Sequence, residues 1–327
     1  MKLPRRNFVC LAAGAVALPA VSRIARAQTY PARPITMIVP FAAGGPNDGI
    51  ARIMAERMRV LLGQPVMIEN IDGAAGSIGT GRAARAAPDG YTISIGYWGT
   101  HVANAAIYVL DYDVVKDFEP ISLLVESPLL IAASKATPAS DLREFVNWLR
   151  ANPDKASAAV PGSASHVASV FFQRQTGTRF RLVPYRGAGP AIQDLAQGRI
   201  DMALLNAGAP LPHVRSGEFK AYAVSAKRRL AAAPDIPTVN EAGFPNLDAS
   251  VWFGFWAPAR TPKDIITKLN AATVETLANP SVRARLADLA QEIFPREQQT
   301  PAALVDLQKA EIEKWWPIIR AANIKPE

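Results

Sequence analysis

The chain has 327 residues, 49% of them hydrophobic, with 36 Lys plus Arg against 28 Asp plus Glu, one cysteine and three histidines. That length suits two lobes, each able to bury a core without a disulfide or a metal, and the composition excludes fibrous, collagen-like and disordered chains. The formal charge of +8 overstates the case for a polyanionic partner, because five of the cations (Lys2, Arg5, Arg6, Arg23 and Arg26) fall in residues 1–27, which hold no acid.

Those first residues combine a basic start, an apolar run over 8–21 and an Ala25-Arg26-Ala27 site, the pattern of a cleavable secretory signal. The apolar run is too short for a permanent membrane anchor. Arg5-Arg6-Asn7-Phe8 also fits a twin-arginine signal, and ordinary secretion stays open beside it. Cleavage after Ala27 leaves 300 residues with 31 Lys plus Arg against 28 acids, a charge of +3. No basic stripe for nucleic acid survives that cut. Cys10 leaves with the signal, which removes thiol catalysis, disulfides and cysteine metal sites together.

Beyond it, strands and helices alternate. Ile35-Thr36-Met37-Ile38-Val39 predicts a strand ended by Pro40. Pro46 suits a first helical position, and Ile50, Met54, Met58, Leu61 and Leu62 recur at helical spacing until Gly63. Strands follow over 66–69 and 92–96, separated by a Gly-rich stretch and an Ala-rich helix. A second set starts with a strand over 129–133 and a capping box, Asp141-Leu142-Arg143-Glu144, that opens a helix. A helix from near Ser163 presents Val167, Val170 and Phe171, and another runs from Gly189-Pro190 to Gly198. Strands over 200–205, 221–225 and 252–257 precede two helices opened by Thr261-Pro262 and Thr300-Pro301. The last carries a broad apolar face that the first lobe should cover. This alternation predicts an α/β fold with parallel, doubly wound sheets.

Catalytic readings are weak. Ser163 and His166 lack a G-x-S-x-G elbow, and three residues apart near a helix start is poor triad geometry. His101, His166 and His213 show no metal-ligand spacing. Gly76-Ser77-Ile78-Gly79-Thr80-Gly81 lacks the order of a dinucleotide fingerprint. What remains is two glycine-containing bends, Pro40 to Asp48 and Pro161 to His166, each leading into a helix. Glycine admits close approach to main-chain N–H groups, and a helix start attracts an anion without any cationic side chain.

In order along the chain, Tyr30-Pro31-x-Arg33-Pro34-Ile35, Val39-Pro40-Phe41 with Gly44-Gly45 and Asp48, and Gly63-Gln64-Pro65-Val66 with Glu69-Asn70 open a series of short motifs. Ala86-Ala87-Pro88-Asp89-Gly90-Tyr91-Thr92, Gly99-Thr100-His101 with Asn104, and Lys116-Asp117-Phe118 continue it. Val183-Pro184-Tyr185-Arg186-Gly187, Pro237-Thr238-Val239 with Glu241-Ala242-Gly243, and Trp252-Phe253-Gly254 complete it. Together they resemble the Bug-type (TctC-like) periplasmic solute-binding proteins of tripartite tricarboxylate transporters, across the whole mature chain.

The resemblance implies a two-lobed periplasmic-binding-protein fold of type II, each lobe a mostly parallel sheet flanked by helices, with the ligand cleft between them. The lobes are expected at 28–124 with 253–327 and at 125–252, with hinges near 123–128 and 246–252. It implies a monomeric receptor without catalytic residues, metal or cofactor, which closes on a small organic carboxylate and delivers it to a membrane permease. A sensing subunit for a signalling receptor, or an exported hydrolase, are the alternative readings. Carried onto this chain, the carboxylate lies against Phe41, Ala43, Gly45 and Asp48 on one side and Ser163, Ala164, Ser165 and His166 on the other. Trp98 to His101, with Thr100 among them, and Tyr185, Arg186 and Asn206 line the rest of the cleft. Ala158, Val160 and Leu205 stand where the family is more polar, and Trp98 where it is smaller. These departures predict a bulkier or aromatic acid.

Overall fold

The computed structural model describes residues 30–226, 228–247 and 249–324; the signal segment expected at 1–27 lies outside them. In the first part of the chain come β1 (Ile35–Val39), α1 (Pro46–Leu62), β2 (Val66–Asn70), α2 (Ser77–Ala84), β3 (Thr92–Tyr97) and α3 (Asn104–Ile107). The middle holds β4 (Phe118–Ser127), β5 (Leu129–Ser134), α4 (Leu142–Ala151), β6 (Ser157–Val160), α5 (Ser163–Thr176), β7 (Arg181–Pro184) and α6 (Ala188–Ala196). It continues through β8 (Met202–Asn206), α7 (Leu211–Arg215) and β9 (Phe219–Ser225). The last part is β10 (Val251–Pro258), α8 (Lys263–Ala278), α9 (Pro280–Asp288), β11 (Glu292–Ile293) and α10 (Pro301–Ala321).

Local chemistry explains the boundaries. Pro46 opens α1 and Gly63 ends it in the left-handed region at φ 70°, where glycine carries no Cβ penalty. Asp141 accepts the Glu144 N–H at the start of α4, whereas the Glu144 carboxylate reaches back to the Ser140 N–H and hydroxyl. Thr300 accepts the Ala303 N–H and so caps α10.

The strands form two sheets, ordered β11-β4-β10-β3-β1-β2 and β7-β6-β8-β5-β9. Both are mixed rather than mostly parallel. The parallel part is β2-β1-β3 in one and β7-β6-β8 in the other. Antiparallel pairs arise where the chain changes sheet: β4 feeds β5 through Pro128, and β10 returns after β9 to run antiparallel to both β3 and β4. A crossing strand enters from the opposite edge, so it cannot share the direction of the β-α-β units it joins.

Side chains of the second sheet alternate between two apolar clusters. Leu129, Ile131, Ala158, Met202 and Leu204 join α5 and the first sheet's core. Leu130, Ala132, Ala159, Ala203 and Leu205 pack under α6. That period of two marks a sheet covered on both faces. Ala158, Val160 and Leu205 are therefore interior residues, and their apolar character says nothing about cleft polarity.

α10 covers the first sheet's half and reaches the second. Gln308 Nε2 donates to the carbonyls of His101 and Val114, and Trp316 Nε1 to that of Val102. The Trp315 ring meets Trp98 edge-on at 5.4 Å and Phe171 of α5 at 5.0 Å. Arg174 at the far end of α5 donates to the Ile318 carbonyl. The two halves thus touch along the length of α5.

Candidate functional site

Every candidate residue emerges at the carboxyl end of a parallel strand. Phe41, Ala43, Gly45 and Asp48 follow β1, while Trp98 and Thr100 follow β3. Ser163, Ala164, Ser165 and His166 follow β6, Tyr185 and Arg186 follow β7, and Asn206 ends β8. The carboxyl edge of a parallel sheet is where open α/β folds leave a crevice and point helix starts at it.

In the bend after β1, Asp48 is 4% exposed. Its Oδ2 accepts from the Gly44 N–H at 2.9 Å and Arg52 Nε at 2.8 Å, and its Oδ1 accepts from Asn70 Nδ2 at 3.0 Å. Burial alone would raise this carboxyl, but bonds from Arg52, Gly44 and Asn70 hold it below the usual carboxylate range. Asn70 Nδ2 also donates to the Phe41 carbonyl. The pair pins both ends of the bend to the end of β2. Gly44 sits at φ 87° with open space where a Cβ would go, so conformation rather than crowding demands glycine. The first intrahelical bond of α1 runs from Gly49 N–H to Gly45 carbonyl. The N–H groups of Asn47 and Asp48 precede it and have no helical acceptor.

The bend after β6 repeats the device. Gly162, at φ 154°, likewise faces open space, and His166 N–H makes the first helical bond to its carbonyl. The N–H groups of Ser163, Ala164 and Ser165 therefore point out of the helix start. Both hydroxyls there are engaged: Ser163 Oγ donates to Asn104 Oδ1 at 2.8 Å, and Ser165 Oγ to the Leu204 carbonyl at 2.6 Å. The Ser163 hydroxyl is thus bonded to an amide, not to an imidazole. His166 is half-buried on the same turn.

The segment after β3 is a π-helical turn, Gly99–Ala103, and it lies deeper than expected. Thr100 is fully buried; its hydroxyl is shared among the Tyr97 N–H, the Tyr97 carbonyl and His101 Nδ1. His101, expected in the cleft, belongs to the core instead. Its ring stacks on Trp256 at 3.7 Å and 13°, and burial pushes the imidazole down to about 3. In an NMR titration its ring carbons should keep their neutral positions from pH 8 to about 4; a transition near 6.5 would mean the stack opens. Trp98 is 3% exposed, and a small apolar cavity separates it from Ala164, Val167 and Ala168 of α5.

Tyr185 turns toward α6, where its hydroxyl donates to Asp194 Oδ2 at 2.7 Å; burial, then the Asp194 carboxylate, push the phenol up to about 12. Arg186 is exposed beside Gly187, and Asn206 is half-buried opposite Leu129.

Three residues outside the expected set hold the site together: Asn70, Asn104 and Ser77. Asn70 and Asn104 stand in the motifs of the resemblance, Asn70 as the last residue of β2 and Asn104 as the first of α3. Ser77 lies in the Gly-rich stretch, whose real use is close packing. A Cβ on Gly76 would lie 2.7 Å from the Phe41 ring and 2.8 Å from Thr100 Cγ2.

The model for the tripartite tricarboxylate transporter family receptor (TctC) matches residues 50–324. Protein BugT of Bordetella pertussis is 34% identical over 315 residues, covering 95% of each chain. MatC from Rhodopseudomonas palustris, solved with bound malate, is 39% identical with a TM-score of 0.82 over 89% of this chain and 100% of that one. A second R. palustris protein, solved with adipate, is 31% identical with a TM-score of 0.84 over 91% and 100%.

Proposed function

The chain belongs to the tripartite tricarboxylate transporter receptor family, the TctC or Bug type of periplasmic solute-binding protein, and from that membership we propose that it captures a small aliphatic dicarboxylate by closure of two lobes. The observation that supports this reading is that two helix starts, α1 and α5, follow the carboxyl ends of parallel strands in different sheets, each with a glycine that borders open space (Gly44 and Gly162) in the bend before it. Unpaired N–H groups at both starts suit one carboxylate held by dipoles, and malate and adipate in the two R. palustris relatives are acids of that class.

In this reading the lobes comprise 28–124 with 253–327 and 125–252, hinged at Pro128 and between β9 and β10. The ligand shifts the open–closed equilibrium by the contacts that both lobes make only together. The signal is removed, the receptor works in the periplasm, and the closed form delivers its acid to a membrane permease. Trp98 gives little reason to favour an aromatic acid, because its ring already rests on Trp315.

Thermal unfolding with malate, succinate and adipate tests the class. A bound acid raises stability by about 2.7 kcal/mol at a hundredfold excess over its dissociation constant, and calorimetry should show one site per chain. If none of the three acids moves the melting temperature, the dicarboxylate reading is wrong.

A further inference from the structure

Asn104 is fully buried at the start of α3, and all of its amide is used. Nδ2 donates to the Ala75 carbonyl at 2.9 Å and to Ser77 Oγ at 3.0 Å. Oδ1 accepts from Ser163 Oγ at 2.8 Å, across 59 residues of sequence, and Ser163 opens α5 on the other sheet. One side chain therefore joins both halves of the molecule at the mouth of the candidate site.

What it joins is itself strained. Gly73, Ala74, Ala75 and Gly76 have φ of 126°, 47°, 50° and 89°. Two successive alanines in the left-handed region persist only where their surroundings hold them, and the Asn104 amide grips the carbonyl of the second. Gly76 comes next, against the Phe41 ring, and Phe41 belongs to the bend that Asp48 and Asn70 fix. The chain of contacts runs Ser163, Asn104, Ala75, Gly76, Phe41, from one anion-binding helix start to the other.

We propose that Asn104 is the closure latch of the cleft: a positioning residue whose bond to Ser163 exists only when the halves meet, so that it sets affinity for the acid without touching it. This rests on the capture-by-closure reading above. In the open form water satisfies the Ser163 hydroxyl and the exposed edge of the amide, so the net gain on closure is that of one neutral hydrogen bond.

The test is a double-mutant cycle with malate and adipate as probes, on Ser163→Ala, Asn104→Ala, the double variant and Ser163→Thr. The latch predicts that Ser163→Ala weakens binding about five- to tenfold and leaves ligand-free melting unchanged. Ser163→Thr restores binding, and Ser163→Ala costs nothing further once Asn104 is alanine. Losses that multiply in the double variant mean that Ser163 meets the acid directly, which overturns the latch. A fall in ligand-free melting for Ser163→Ala means a permanent bond, which also overturns it.

A ligand-free measurement separates this from failure of the binding reading, and needs no Asn104 variant. Spin labels on cysteines introduced at the exposed Ile78 and Gly189 report the distance between halves. Wild type and Ser163→Thr should share a short-distance population that Ser163→Ala loses; identical distributions in all three rule the latch out. Absence of binding to either acid by wild type counts against the dicarboxylate reading alone.

Discussion

Asp48→Ala is expected to cost the ligand-free protein about 2–4 kcal/mol and to weaken acid capture by roughly a hundredfold. Three donors lose one acceptor at once: the Gly44 N–H, the Asn70 amide and the Arg52 guanidinium. Arg52 is half-exposed and water can serve it, so the loss falls mainly on Gly44 and Asn70. Without its clasp to Gly44, the bend no longer presents its N–H groups as a fixed array, and the acid must order it on binding. Urea denaturation and calorimetry read the two effects separately. Asp48→Asn adds a check by pH. The carboxyl titrates lower in the folded protein than in the unfolded chain, so its stabilisation is whole above the usual value of about 3.9 and fades as pH falls through the folded value. The stability gap between wild type and Asp48→Asn should therefore hold from neutrality down to the usual carboxylate value and narrow as pH falls below it. An unchanged gap would show that the charge contributes nothing.

Much of this site could be read from the sequence because helix ends and glycine bends are written locally. Pro46, Gly63, Asp141 and Thr300 each stand within a few residues of the boundary they set, and the first bend sits between a β-branched strand and a periodic helix. The strand before the second bend, Ser157–Val160, has only one β-branched residue and does not stand out. What escaped is what depends on distant packing. His101 is a polar residue by composition, and only the stack on Trp256 makes it core. The glycines at 76 and 79 read as a failed cofactor motif, yet Gly79 is fixed by Pro40 and Ile71, since a Cβ there would lie 2.7 Å from each backbone. The hydroxyls of Ser163 and Ser165 read as ligand donors, and tertiary partners 59 and 39 residues away claim them. Alternation of strand and helix suggested parallel sheets because it describes each β-α-β unit well, but the reversed strands come from where the chain crosses between sheets, which periodicity does not encode.

Trp315→Ala should produce the largest loss of stability, about 3–5 kcal/mol, and should weaken acid binding through closure rather than contact. The ring is 3% exposed and stands between Trp98 on one half and Phe171 on the other. It already borders the small cavity lined by Ala164, Val167 and Ala168, and two alanines and a β-branched valine on that wall have little side chain to move into the space it would leave. The void therefore persists, which is the condition for a cost at the upper end of that range. Trp315→Phe keeps most of the wedge and should recover more than half of the loss. The companion change Trp98→Ala separates packing from ligand contact: if Trp98 only packs, its destabilisation appears without ligand, and affinity changes no more than it does in Trp315→Ala. A Trp98→Ala variant whose affinity falls well below that of Trp315→Ala at matched stability would put the indole against the acid. A loss under about 1 kcal/mol for Trp315→Ala would mean that Trp98 and Phe171 collapse onto each other, and that the contact along α5 does not need the wedge between them.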